Sequence, residues 1–279
     1  MVKVTVRELK GRKAKLLVEE TDPSLVNAIR RTLVADVPKM AIEDVTLYDN
    51  TSGLFDEIVA HRLGLIPIPT DLATFVPRAE CTCKGAGCAN CTLRYTLSKE
   101  GPTMVLSGDL MPENPAYTVP DPKIPIVELL ENQRLILEVE AIIGNGKMHA
   151  KYQPVSGAGY KYYPSVTIDD RKIGAEEAKK ISDSCPVDIL PEQNGKLTVS
   201  NVEKCILCMN CVDTAAKLKG LTREQARTQG GIWVEGDPKR FLFHFETDGS
   251  HTAPNALQKA VSLLADKYDE FSKHVAQLK

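Results

Sequence analysis

EKCILCMNCVDTA, residues 203–215, spaces Cys205, Cys208 and Cys211 as C-x2-C-x2-C and then puts Ala215 where a fourth cysteine of such a run would stand. Two-residue gaps between thiols let a short chain reach three corners of one iron–sulfur cluster. The fold of this part of the chain turns on where the fourth ligand lies. In two-cluster arrangements of the form C-x2-C-x2-C-x3-C-P, each run gives three thiolates to one cluster and its last cysteine to the other. Cys185 is followed by Pro186, and NGKLTVSNVEK (194–204) reads as a strand-like connection to the triplet. Cys185 therefore closes the site that Cys205, Cys208 and Cys211 begin.

Counting back from Cys185 by the same spacing puts the ligands of the other cluster at Ala175, Ala178 and Ile181, with Ala215 as their crossing partner. All four lack a thiol, so one site is complete and its neighbour is lost as a unit. The pattern predicts a ferredoxin-like module over 171–220 holding one [4Fe-4S] cluster, or its [3Fe-4S] relative. Zinc on four thiolates is the rival metal, and buried unligated cysteines are the metal-free alternative. A cluster so held serves electron transfer or redox sensing, or it cross-links a small domain poor in apolar residues.

A second set of thiols, CTCKGAGCANC at 81–91, spaces Cys81, Cys83, Cys88 and Cys91 as C-x-C-x4-C-x2-C, with Gly85 and Gly87 letting the chain double back. Four thiolates in one short loop close a tetrahedral site with no position open to substrate. This reads as a structural zinc site, with a reduced, metal-free loop as the alternative. Cysteines in two clusters of four point to metal binding in a reducing cytosol, not to disulfides.

Outward from these sites the chain reads as α+β. MVKVTVRELKGRKAKLLVEE (1–20) alternates as two strands about Gly11, with Val2, Val4 and Val6 on one face. Asp22 and Pro23 start a helix whose apolar stripe is Leu25, Ala28, Ile29, Leu33 and Val34, and Pro38 ends it. Arg30 and Arg31 lie off that stripe, either solvated or facing a neighbouring subunit. Residues 42–170 form a β-rich region broken by DNTSG (49–53), by the first cysteine loop and by MPENPAYTVPDPKIP (111–125). IWVEGDPKRFLFHFET (232–247) reads as a hairpin about Gly236, Asp237 and Pro238. A long helix closes the chain. Its Leu257, Val261, Leu264, Tyr268, Phe271, Val275 and Leu278 alternate steps of four and three, a heptad seam that packs within its own domain or against another protein.

There is no P-loop, dinucleotide fingerprint, H-E-x-x-H or G-x-S-x-G, and His61, His149, His244, His251 and His274 are scattered, so no catalytic residue is expected. With 35 basic against 37 acidic side chains, no net field draws the chain to nucleic acid or membrane. No apolar run approaches a spanning length, and a cytoplasmic protein is expected.

Three segments resemble a single family: SLVNAIRRTLVADVPKMAIEDV (24–45), FDEIVAHRLGLIPIPTD (55–71) and FHFETDGSHTAPNALQKAVSLLADKYDEF (243–271), with KYQPVSGAGYKYYP (151–164) as a weaker fourth. The family is that of the D subunits of archaeal RNA polymerase, with the third subunit of eukaryotic polymerase II and the bacterial alpha subunit as counterparts. The 81–91 loop also resembles the zinc loop of the eukaryotic subunit, and some archaeal members carry a ferredoxin-like insert. The resemblance implies an alpha-like dimerisation domain, an antiparallel sheet with two long helices, over 1–41 and 221–279. An inserted β-rich domain would span 42–170 and the iron–sulfur domain 171–220. It implies a non-catalytic subunit of DNA-directed RNA polymerase with little or no contact to DNA. Leu25, Ile29, Arg30, Arg31, Leu257, Val261, Leu264, Tyr268 and Phe271 would pair with the small subunit L, small subunits N and P would attach, and the large catalytic subunits would assemble on this platform.

Overall fold

The computed structural model describes residues 2–278. In chain order it contains β1 (Lys3–Lys10), β2 (Lys13–Glu19), α1 (Pro23–Ala35), β3 (Lys39–Asn50), α2 (Asp56–Gly64), β4 (Thr92–Glu100), β5 (Thr103–Leu106), β6 (Met111–Pro112), β7 (Pro125–Leu129), β8 (Arg134–Gly144), β9 (Val155–Ile168), α3 (Ala175–Asp183), β10 (Glu192–Gln193), β11 (Lys196–Leu197), α4 (Asn210–Leu218), α5 (Arg223–Gln229), β12 (Ile232–Thr247) and α6 (Ala253–Ala276). The strands form sheets in the orders β1-β2-β12-β9 and β3-β8-β4-β6, with two further pairs, β5-β7 and β10-β11. The mixed α+β class expected from the sequence is the one observed. Among the described residues no helix is long and apolar enough to cross a membrane. The chain forms two compact units: residues up to Thr5 with Leu16–Val26 and Tyr160–Phe243, and Val6–Lys15 with Asn27–Gly159 and His244 onwards.

In the second unit, β8 is the central strand, antiparallel to both β3 and β4. Its alternation is strict: Leu135, Leu137, Val139, Ala141 and Ile143 point into a core shared with Met40, Ile42, Tyr95 and Leu97. The outward residues include Arg134, Glu138 and Glu140, and Glu140 accepts from Arg94 at 2.9 Å and from Arg78 at 2.7 Å. Partial burial opposes ionisation of Glu140, but those two guanidinium groups overcome it and hold its carboxyl below the usual range. Helix α2 covers one side of this core. Asp56 and Glu57 occupy its first turn, and Val59 and Leu63, four apart, are fully buried. This helix is not among the elements expected from the sequence.

At α1 the expected cap is present. Asp22 accepts from the amides of Ser24 at 2.9 Å and Leu25 at 3.4 Å, and the Ser24 hydroxyl with those amides holds its carboxyl below the usual range. The buried row meets the expected stripe only at Leu33. Val26 and Leu33, with Val37 just beyond the helix, are buried, whereas Leu25, Ala28, Ile29 and Val34 are half-buried. Spacings of seven and four residues turn that row inward and leave the neighbouring one partly open.

β12 corrects a further expectation. Residues 232–247 form one continuous strand, with no reversal at Gly236, Asp237 and Pro238. Strands on both sides, β2 and β9, override the local turn signal. The Lys239 carbonyl accepts from the Thr21 amide at 3.3 Å, and a Cβ at Gly236 would stand 2.6 Å from the Tyr162 Cβ. Pro238 offers no amide to a ladder, so the strand merely becomes irregular there, with the Lys239 amide turned to the Asp237 side chain at 2.9 Å.

In the first unit, α3 and α4 pack on each other beside the hairpin β10-β11. That hairpin turns at Asn194 and Gly195, both left-handed at φ 54 and 79, as a two-residue turn requires. Its small core is rich in alanine: Ala178, Ala215, Ala216 and Ala226 are buried with Ile173, Ile181, Ile189, Leu190, Leu197, Val212, Ile232 and Val234. Ala178, Ile181 and Ala215, three of the positions without a thiol, are completely buried, while Ala175 is exposed.

Candidate functional site

The first cysteine loop follows a short 3-10 turn (Arg78–Glu80) and runs into β4. Lys84, Gly85 and Gly87 are all left-handed, which folds the loop back so that four thiols converge. The sulfurs of Cys81 and Cys88 are 3.5 Å apart, those of Cys83 and Cys91 3.6 Å, and those of Cys88 and Cys91 3.9 Å. All four lie within 4.8 Å of one another; among the described residues this is the only cluster of metal-ligating side chains so close. Thiolates at about 2.3 Å from a tetrahedral ion stand roughly 3.8 Å from each other, so the spacing suits a single bound metal ion.

The loop shares its protons unevenly. Burial opposes ionisation of Cys83, but hydrogen bonds from the Cys81 and Cys91 thiols and from the Gly87 and Cys88 amides bring it down to about 6. The Cys81 thiol is pushed up to about 11: a backbone hydrogen bond from Cys83 opposes the rise, and burial and the neighbouring thiols drive it. A cation entering the loop would draw the thiol protons off. No position is left open in this geometry, so the site can hold structure and not perform chemistry on a substrate.

Cys185, Cys205, Cys208 and Cys211 line one small apolar pocket with Val187, Leu190, Met209 and Val234. Cys205 and Cys211 are buried, Cys185 is half-buried and Cys208 is exposed. Burial, with the other three thiols adding to it and the Val212 backbone bond opposing it, pushes the Cys211 thiol up to about 11. The loop between the cysteines is strained. Leu207 and Met209 both adopt left-handed φ, 57 and 66, and the Leu207 amide points at the Cys205 sulfur at 3.4 Å. Such a conformation costs a bulky residue about 1 kcal/mol or more and persists where the surroundings impose it. The cysteines that the sequence grouped are therefore brought together around one small apolar pocket. Cys211 also lies in the first turn of α4, where main-chain amides favour negative charge.

The predicted pairing residues divide by exposure. On α6, Ala253, Ala256 and Ala260 are completely buried, and Leu257 and Leu264 are half-buried. The other seam residues are open: Val261 is 48% exposed, Tyr268 59%, Phe271 68%, Val275 44% and Leu278 85%. On α1, Leu25, Ile29 and Arg30 are half-buried and Arg31 is exposed, with Arg30 donating to the Asn27 side chain at 3.1 Å. Of the two destinations open to the heptad seam, packing within its own chain does not account for its C-terminal half. The histidines form no cluster; His251 alone is buried, with its ring at 2.8 Å from the Pro38 carbonyl.

A family model described as the RNA polymerase Rpb3/RpoA insert domain matches residues 42–159, within the stretch where an inserted domain was expected. Curated relatives match along nearly the whole chain. A protein of Methanosarcina acetivorans is 38% identical, covering 99% of each chain. One of Thermoplasma volcanium is 37% identical over 96% of this chain and 97% of its own. One of Archaeoglobus fulgidus is 33% identical over 100% of this chain and 99% of its own. Each is named DNA-directed RNA polymerase subunit Rpo3.

Proposed function

The chain belongs to the archaeal Rpo3 family of DNA-directed RNA polymerase subunits, and we propose that within that enzyme it is the non-catalytic assembly platform. It pairs with the small subunit L, receives the small subunits N and P, and presents the pair to the large catalytic subunits, in the cytoplasm and with little or no contact to DNA. The dimerisation domain is assigned to 1–41 and 221–279, the insert to 42–170 and the ferredoxin-like domain to 171–220. The observation that carries this reading is the apolar seam of α6, open at Val261 and from Tyr268 onwards in a chain of this family. A heptad face of that kind is stable in water only when a second helix covers it. Co-expression with an archaeal subunit L should yield a stable one-to-one complex on gel filtration. A folded chain that stays monomeric beside subunit L would remove the proposal.

The same reading assigns two cofactors. Cys81, Cys83, Cys88 and Cys91 hold a structural zinc ion, supported by their mutual spacing. Cys185, Cys205, Cys208 and Cys211 hold one [4Fe-4S] cluster. All four line one shared apolar pocket, and the C-x2-C-x2-C run with a distant Cys-Pro is the spacing of a cluster site, which supports this assignment. When bound, the cluster supplies bonds that tie residue 185 to the 205–211 loop. Metal analysis of anaerobically purified chain should return about one zinc and about four irons with matching sulfide. Cys91→Ala, at a fully buried ligand, should lose the zinc and keep the iron; zinc retained at the wild-type level would show that the loop does not bind it.

A redox role for the cluster is the second reading, and the exposure of Cys208 favours it. One corner of the cluster would then lie within reach of solvent and oxidants. A reversible one-electron couple whose two states differ in subunit assembly is its signature.

A further inference from the structure

Lys161 stands in β9 with its ammonium group turned to the cluster loop. It donates to the main-chain carbonyl of Glu203 at 2.7 Å and to that of Cys205 at 2.6 Å. These acceptors belong to the 3-10 turn Val202–Lys204 and to the cysteine that ends it. The strand is firmly held on either side of the lysine. Tyr160 and Tyr162 pack on Phe241 at ring-centroid distances of 5.9 and 5.2 Å, and the Arg240 guanidinium lies 4.0 Å over the Tyr163 ring. Leu207 is fitted to the same wall, where a Cβ at Gly236 would meet its Cδ1 at 3.5 Å.

We propose that Lys161 is a positioning residue for the iron–sulfur loop: its ammonium clamps the backbone at 203–205 in the ligating conformation and sets a fixed positive charge beside Cys205. The assignment rests on the cluster reading given above. The clamp acts on the residues immediately before the left-handed pair Leu207 and Met209, so it opposes the relaxation that this strained loop would otherwise undergo. The charge has a separate consequence. Four thiolates and their cluster form an anionic group that gains negative charge on reduction, and a neighbouring cation stabilises the reduced form more than the oxidised form.

The test compares full-length wild type with K161M, K161Q and K161R, all purified anaerobically. K161M removes donor and charge and should release iron to a chelator about tenfold faster, with a more negative midpoint potential in a titration followed by electron paramagnetic resonance. K161Q keeps a donor without the charge, so its potential should fall while its iron release stays closer to wild type. K161R should restore both. K161M and K161Q indistinguishable from wild type in release rate and potential would overturn the role of Lys161 while leaving the cluster in place. A wild-type chain without iron and sulfide would overturn the cluster reading and this assignment together.

Discussion

With Cys205, Cys208 and Cys211 all replaced by serine, the chain should lose its iron and sulfide completely, and α3, α4 and the β10-β11 hairpin should lose most of their hydrogen-exchange protection. The β3-β8-β4 sheet should keep its protection. The reason is the poverty of the core around the cysteines. Four of its buried members are alanines, two are the proposed ligands Cys205 and Cys211, and none is aromatic. Removing a structural metal from a small domain withdraws on the order of 10 kcal/mol, more than such a core holds in reserve. The loop itself adds to the loss, since Leu207 and Met209 can leave their left-handed conformations once nothing binds between them. The sheet is insulated by its own core, in which Tyr95 donates to the Tyr117 carbonyl at 2.7 Å and Leu135, Leu137 and Val139 are buried. Native-state exchange followed by mass spectrometry distinguishes the outcomes. Protection of α3 and α4 unchanged in a variant free of iron would mean that the cluster is no cross-link, and the redox reading would take its place.

How far the sequence foretold these sites depends on how local each signal is. The C-x-C-x4-C-x2-C loop is a sequence-local object, with Gly85 and Gly87 at positions whose φ is left-handed, so its convergence could be read directly. The coherent absence of a second ligand set was legible too, and the structure fills three of its four positions with buried apolar side chains. What escaped was non-local. Gly236-Asp237-Pro238 carries a strong turn signal, but strands on both sides keep that segment extended. The stripe on α1 was right at Leu33 and missed Val26, because periodicity finds an apolar row without saying which of two adjacent rows the core covers most. Helix α2 was hidden inside a recognised segment, although Val59 and Leu63 four residues apart, with acidic residues in the first turn, would have revealed it. Lys161 had no sequence signal for this role: the Glu203 and Cys205 carbonyls to which it donates lie 42 and 44 residues away, and no side-chain pattern reports a main-chain acceptor.

The double variant Tyr268→Asp, Phe271→Asp should abolish pairing with subunit L at micromolar concentrations while leaving the isolated chain folded. Both rings are more than half exposed. A partner helix in the seam would cover them, and aromatic anchors of this kind cost about 2 kcal/mol or more each when removed. Two such losses come to about 4 kcal/mol, roughly a thousandfold in Kd, before the desolvation of two new carboxylates is added. The isolated chain should tolerate the change because α6 is attached elsewhere. Ala253, Ala256 and Ala260 are its buried contacts, and Lys267 pairs with Asp36 at 2.6 Å. Burial disfavours the Asp36 carboxylate, but hydrogen bonds from Lys147 and Lys267 more than offset this and hold its pKa below the usual value. A carboxylate depressed in the folded state stabilises above its ordinary pKa and loses that effect only as pH falls through the lowered one. Near neutrality the Asp36 link is therefore fully present, and weakened pairing cannot be blamed on a helix that has come loose. Titration calorimetry with subunit L measures the change, and circular dichroism checks the fold. Undiminished affinity would show that the partner binds elsewhere, and the open seam of α6 would then need a different occupant.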